Sequence, residues 1–122
     1  MHFEKMVAET KLSFRASDIR AAVRPLFSKY RLSDHKGFNF PMEIPTNEIP
    51  KEITSLPIFS EGLEYLSGGS INAHPNVLSF VTGGGFGHWG IVICEEPDPA
   101  KYNFHGDKRF ILWEDGVYFY RE

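Results

Sequence analysis

The residues closest to a recognisable chemistry form a glycine cluster, GGGFGHWGIVIC, at positions 83–94. It contains Gly85-x-Gly87-x-x-Gly90-x-Val92, the spacing of a loop that covers nucleotide phosphates. In a dinucleotide-binding fold, such a loop leads into a helix whose N-terminus binds the pyrophosphate. Here the residues that follow are IVIC, which are mostly β-branched and indicate a strand. The cluster therefore predicts a turn between two strands.

A protein-kinase loop has the same spacing and is itself part of a hairpin. A kinase also needs a lysine on the next strand and the HRD-type and DFG loops, and the chain after Val92 contains none of these motifs. The remaining functional interpretation is a binding edge, because glycines expose backbone N–H groups beside aromatic side chains. The predicted binding residues here are Gly85, Phe86, Gly87, His88 and Trp89, with Tyr118 and Tyr120 nearby.

Histidines and carboxylates in the same half of the chain are candidates for a metal or catalytic site. They are His74, His88, His105, Glu95, Glu96, Asp98 and Asp107. No two histidines have a short ligand spacing, and Cys94 is the single cysteine, so neither a metal site nor an internal disulfide is predicted. No Gly-x-Ser-x-Gly elbow is present, and an apolar strand around Cys94 would blunt its thiol. The sequence favours a non-catalytic protein without a cofactor.

Length and composition predict one globular domain spanning residues 1–122. Of the 122 residues, 42% are hydrophobic and 24% charged, which is ordinary for a folded domain. The longest apolar runs, such as IVIC, are far too short to cross a bilayer, and the N-terminus has no stretch of signal-peptide type. The expectation is a cytoplasmic protein without a membrane segment.

Basic charge is concentrated on one segment, although the net charge is −3. Between Arg15 and Arg31 there are five basic residues against one acidic residue. Arg20 and Arg24 fall on one side of a predicted helix, so they are added to the candidate binding residues for an acidic partner surface. The charge is too local to predict nucleic-acid binding.

The first half of the chain predicts one clear helix and several weaker elements. Residues 5–15 alternate loosely and predict a strand. A helix is predicted from an N-cap at Ser17, with Pro25 kinking or shortening it. An edge strand is predicted at 38–44 and a short helix within 53–66. The predicted apolar face of the first helix consists of Ile19, Ala22, Val23, Leu26, Phe27 and Tyr30.

The second half predicts four strands, at 77–81, 89–94, 110–114 and 117–120. Asp115-Gly116 is the turn of a tight hairpin. A two-residue turn there would pair Trp113 with Tyr118, Ile111 with Tyr120 and Leu112 with Phe119, so that both faces are apolar. The expected fold class is α+β, with an antiparallel sheet of about 4–6 strands and one or two helices packed on it.

The segments NVLSFVTGGGFGHWGIVICEE and KRFILWEDGVYFYRE resemble the central sheet of the SUKH superfamily. In that superfamily an apolar strand runs into a "tGGdG" type glycine turn and a second strand follows. The family's early tryptophan is not matched, and ITSLPIFSEGLEYLSGG is a distant counterpart of its helical segment. The resemblance implies an α+β fold and, for many members, a bacterial immunity protein that binds and blocks a toxin.

Three functions are compatible with these patterns. The first is a non-catalytic protein-binding domain, of immunity type, with another protein as its partner. The second is a regulatory module whose glycine turn donates N–H groups to a small ligand or anion. The third is a small hydrolase that uses a histidine with a nearby acid. The sequence favours them in that order and does not fix the oligomeric state.

Overall fold

The computed structural model describes residues 3–30, 42–43, 46–59, 65–68, 77–84, 87–95, 107–114 and 116–121. These residues form an α+β fold, in which helices cover one face of an antiparallel sheet. The predicted fold class is confirmed.

The helices lie in the first half of the chain and most of the sheet in the second. The helices are α1 Phe3–Ser13, α2 Ala16–Tyr30 and α3 Lys51–Thr54, with 3₁₀ turns at Thr46–Glu48 and Pro57–Phe59. The strands are β1 Met42–Glu43, β2 Tyr65–Gly68, β3 Val77–Gly84, β4 Gly87–Cys94, β5 Phe110–Glu114 and β6 Val117–Arg121. They lie in the order β1-β2-β3-β4-β6-β5, and every neighbouring pair is antiparallel.

Helix α1 occupies the segment for which the alternating pattern at 5–15 predicts a strand, so that prediction is wrong. Phe3, Val7 and Thr10 are buried on one side of α1, at helical spacings of four and three. Leu12, which supports the alternation, is 87% exposed. The hydroxyl of Thr10 donates to the backbone oxygen of Met6 at 2.7 Å, which keeps this polar group satisfied within the helix.

Helix α2 confirms the predicted apolar face, because Ile19, Val23, Leu26 and Phe27 are all buried. The helix starts one residue earlier than the predicted cap at Ser17. The N–H groups of residues 18 and 19 donate to the backbone oxygen of Arg15, at 3.1 and 3.3 Å. Pro25 is exposed and does not shorten the helix, which runs on to Tyr30.

The predictions for 38–44 and 53–66 are correct only in part. Met42–Glu43 is an edge strand, and the rest of 38–44 lies outside the described residues. Helix α3 is a single turn that ends at Thr54, before most of the predicted segment. Leu66, the last residue of that predicted segment, lies instead in strand β2.

The central strands bury side chains on both faces of the sheet. On one face, strand residues pack with the helices in a single core: Leu78, Phe80, Ile91, Ile93, Val117 and Phe119. Their alternate neighbours form a second buried cluster on the other face: Val77, Val92, Cys94, Phe110, Tyr118 and Tyr120. Burial of both faces explains why these strands read as nearly continuous apolar runs.

The hairpin of β5 and β6 contains a β-bulge that the sequence does not predict. Leu112 pairs with Tyr118, yet Glu114 pairs with Val117, so Trp113 is an extra residue on β5. The three predicted pairs are therefore wrong by one position. The physical reason is that the extra residue shifts the register by one position between the turn and Leu112. Trp113 lies on the helical face, where it stacks on Phe119 with ring centroids 5.0 Å apart.

Candidate protein-binding surface

The glycine cluster joins β3 to β4 in a tight hairpin. Gly83 pairs with His88 and Gly84 with Gly87, which leaves only residues 85 and 86 between the two strands. The prediction that a strand leaves the cluster is confirmed, so no helix N-terminus follows it as in a dinucleotide-binding loop. Gly85 and Phe86, two of the predicted binding residues, lie outside the described residues.

Gly90, the third glycine of the phosphate-loop pattern, has a structural role inside the sheet. A Cβ atom at this position would overlap the backbone oxygen of Phe80 and lie 2.9 Å from the Cα of Val81. Strand β3 therefore approaches β4 too closely for any side chain here. The packing of the two strands accounts for this glycine without a ligand.

Trp89 is half-buried and anchored to the helical layer. Its indole Nε1 donates a hydrogen bond to the backbone oxygen of Ile58, at 3.0 Å. The ring also packs against the core that the helices form with the sheet. Trp89 thus contributes to the fold, and only part of it reaches the surface.

The other aromatic candidates are less accessible than the sequence suggests. Tyr118 and Tyr120 are buried on the second face, with 1% and 8% of their surface exposed. Phe110 packs against both rings, at centroid distances of 6.4 and 5.4 Å. Among the described candidates of this group, His88, half-buried beside the glycine turn, remains at the surface with Trp89.

The structure does not bring Arg20 and Arg24 to the glycine turn. Arg20 donates from its guanidinium to the backbone oxygen of Glu95, at 2.6 Å, just beyond the end of β4. His88 lies at the other end of that strand, seven residues away, or about 23 Å in extended chain. Arg24 is exposed one turn further along α2. The predicted binding residues therefore form two separate groups.

Strand β5 carries apolar side chains at the surface, and the sequence does not predict their exposure. It is the last strand at one edge of the six-stranded sheet. Ile111 is 37% exposed and Leu112 is 44% exposed, although both are large aliphatic residues. The sequence could not reveal this, because it does not show that β6 inserts between β4 and β5. That order moves β5 to the edge.

The outer edge of β5 also presents backbone hydrogen-bonding groups. The backbone oxygen of Arg109 accepts from the N–H of Arg121 at 2.9 Å, so this position points towards β6. Backbone direction alternates along an antiparallel strand, and the pairing is regular from Phe110 to Leu112. The N–H and carbonyl of Leu112 therefore point away from β6. Among the described residues, no further strand pairs with this edge, and it carries exposed aliphatic side chains.

The two ends of β5 carry opposite charges. Lys108 and Arg109 precede the strand, Glu114 ends it, and all three are exposed. Arg109 pairs with Asp107 at 2.7 Å, which lowers the pKa of that carboxyl through its hydrogen bonds. Within the described part of the chain, neither Lys108 nor Glu114 has an ion pair.

The described residues do not assemble a reaction centre. Burial raises the pKa of the Cys94 thiol to about 12, even though the charge of Arg20 opposes the shift. Such a thiol is inert at neutral pH. Within the described ranges, no group of three or more His, Cys, Asp and Glu side chains is arranged to hold a metal ion. His74, His105, Glu96 and Asp98 lie outside those ranges.

None of the helices in the described part of the chain has the length and apolar character needed to span a membrane.

No protein-family model, no curated protein and no solved structure matches this chain.

Proposed function

We propose that this protein is a non-catalytic protein-binding domain that takes up a strand of its partner along the outer edge of β5. The observation that carries the proposal is the exposure of Ile111 and Leu112 on an edge strand. Edge strands are recurrent docking sites, since backbone hydrogen bonds supply affinity and alternate side chains supply specificity. A monomer that left this edge uncovered would be prone to aggregation.

The side chains on β5 favour a partner strand whose central residues are apolar. Ile111 and Leu112 point to opposite faces of the sheet, because side chains alternate along a strand. An incoming strand would therefore cover one aliphatic group on each face. The charged residues at the two ends of β5 lie where an interface has its polar rim.

The specific form of this proposal is an immunity-type protein, which binds and blocks a toxin. Its support is the resemblance of the β3–β4 and β5–β6 segments to the SUKH superfamily. Within that form, the half-buried His88 and Trp89 at the glycine turn belong to the same end of the sheet as the start of β5, because Trp89 pairs with Arg121 and Phe110 with Tyr120.

The proposal is tested by capture of a partner with wild-type protein and with Leu112→Lys. The matched control is Leu12→Lys, which makes the same change at an exposed leucine on α1, outside the edge. The captured protein is identified by mass spectrometry, purified and titrated against all three forms. We expect Leu112→Lys alone to weaken binding, by at least about tenfold. Equal binding by all three forms would overturn the proposal.

Hydrogen exchange locates the contact independently of mutation. When the purified partner is added, amide exchange at Leu112 should slow, because its N–H would enter a new strand pair. The amides of α1 serve as the internal reference. For the immunity-type form, expression of the partner alone should harm cells, and co-expression of wild-type protein but not Leu112→Lys should relieve the harm.

A further inference from the structure

We infer that the strand taken up by β5 is the β5 of a second copy of this chain, in antiparallel orientation across a two-fold axis. This inference rests on the proposed function, because it names the occupant of the same edge. Three observations point to it: the charge order along β5, the position of its apolar centre and the direction of its backbone.

The charge order makes β5 complementary to itself only in the antiparallel orientation. Lys108 and Arg109 lie in the turn just before the strand, and Glu114 is its last residue, with apolar residues between them. In an antiparallel pair of copies, the basic start of each strand faces the acidic end of the other. A parallel pair would place like charges side by side, which is unfavourable.

The same symmetry places the apolar side chains opposite one another. Lys108 and Glu114 each stand three residues from Ile111, so an axis through Ile111 brings Lys108 opposite Glu114 of the second copy. Because of the bulge at Trp113, the segment from Ile111 to Glu114 is shorter by about one residue than the segment from Lys108 to Ile111. Glu114 then faces the Lys108 to Arg109 end, where Arg109 is already paired with Asp107 and Lys108 has no ion pair within the described residues. Ile111 would face Ile111 of the second copy, and Leu112 would face Phe110 of the second copy.

The contact leaves the pairing of β5 with β6 unchanged, although the N–H of Phe110 already donates to the backbone oxygen of Asp107 at 3.1 Å. Leu112 already directs its N–H and carbonyl away from β6, as the bond between Arg121 and Arg109 establishes. Isologous contacts of this kind are the commonest way in which soluble chains associate. Because β5 has only five residues, the association should be weak and concentration-dependent.

Sedimentation equilibrium of the full chain over a range of concentrations tests the inference. We expect a monomer–dimer equilibrium. Glu114→Lys should weaken it about tenfold, because two symmetry-related attractions become repulsions. The double variant Lys108→Glu with Glu114→Lys should restore association to within about twofold, since the charges are only exchanged. Added salt should reduce the difference between wild type and Glu114→Lys.

The control is Glu52→Lys, the same charge reversal at an exposed residue of α3, and it should leave dimerisation unchanged. A chain that stays monomeric, or a dimer that Glu114→Lys does not weaken, would overturn the inference. If the monomeric chain still binds a different protein through Leu112, the inference fails and the proposed function stands. If the dimer forms through the edge and is charge-dependent, the inference and the strand-binding proposal stand, and the occupant of the edge is a second copy rather than a toxin.

Discussion

The indole Nε1 of Trp89 and the backbone oxygen of Ile58 are joined by a hydrogen bond of 3.0 Å. This contact connects strand β4 to the 3₁₀ turn Pro57–Phe59, two segments that lie 31 residues apart in the chain. Ile58 and Phe59 are buried in the core beneath the helices. A residue adjacent to the glycine turn therefore fixes part of the helical layer.

Replacement of Trp89 by Phe should lower the free energy of unfolding by about 1–2 kcal/mol. The change keeps an aromatic ring but removes the donor, which leaves the Ile58 carbonyl without this partner. Urea unfolding followed by circular dichroism measures the difference. Trp113→Phe is the control, because in the described contacts Trp113 stacks on Phe119 and makes no side-chain hydrogen bond. Equal losses in the two variants would contradict this role of the bond.

Gly90→Ala should destabilise the protein by about 3 kcal/mol or more. The added methyl group would overlap the Phe80 carbonyl, and the rigid backbone of β3 can relieve the overlap only by disturbing the strand pair. The midpoint of urea unfolding should fall accordingly. A nearly unchanged midpoint would mean that the sheet relaxes around the methyl group. Strand packing would then not explain Gly90, and a functional reason for this glycine would have to be sought.

Ser79→Ala, on the neighbouring strand, should be neutral or stabilising by up to about 1 kcal/mol. Ser79 is 2% exposed, and among the described residues its hydroxyl has no hydrogen-bond partner. Burial of a hydroxyl without a partner costs free energy that alanine avoids. The measurement is the same urea series, and it also serves as the control for Gly90→Ala. A clear loss of stability would show that the hydroxyl is satisfied in solution.

The sequence predicts the elements that local pattern determines and fails where packing decides. The stripe of α2 is confirmed because it repeats with the period of a helix, and the strands around the glycine cluster are confirmed because short β-branched apolar runs favour buried strands. In the segment of α1, the spacing of the apolar residues Met6, Ala8, Leu12 and Phe14 suggests the alternation of a strand. The burial of Phe3 and exposure of Leu12 show that the helical period is correct. The tertiary contacts of α1, rather than the local alternation of its residues, determine that this segment is a helix.

The candidate surface was harder to predict than the fold. Exposure of Leu112 follows from the position of β6 beside β4, a long-range pairing that the hairpin sequence does not contain. The burial of Tyr118 and Tyr120 has the same origin, since an inner strand is covered on both faces. Residue types alone favour tyrosine over leucine as an interface residue, and here strand order reverses that expectation.

Gly116→Ala should lower stability by about 1 kcal/mol, and Gly116→Asn should lower it less. Gly116 has a φ of 78°, which is unfavourable for a residue with a Cβ but is tolerated best by asparagine. Its backbone oxygen accepts from the N–H of Cys94 at 2.9 Å, so the turn is tied to β4. Thermal unfolding of the three forms measures the order. Alanine as stable as glycine would contradict a left-handed conformation at this position.

Stability should decline as the pH rises above 9, and Cys94 should contribute to the decline. The ordinary thiol pKa of 9.0 applies to the unfolded chain, while burial raises the pKa in the folded protein to about 12. A raised folded pKa gives stabilisation that is complete below pH 9 and is lost as the pH rises towards 12. The loss should reach up to about 1.4 kcal/mol for each pH unit.

Cys94→Ala isolates this contribution, because tyrosines and lysines titrate in the same range in both proteins. We expect the wild type to lose more stability than Cys94→Ala between pH 9 and 11, while the two run parallel from pH 7 to pH 9. In the same window, a disulfide reagent should modify the native thiol far more slowly than the thiol in urea, because the reagent needs the thiolate. Equal rates in native and denatured protein would mean that burial does not hold the Cys94 thiol neutral. The stability curves of wild type and Cys94→Ala would then stay parallel up to the highest pH measured.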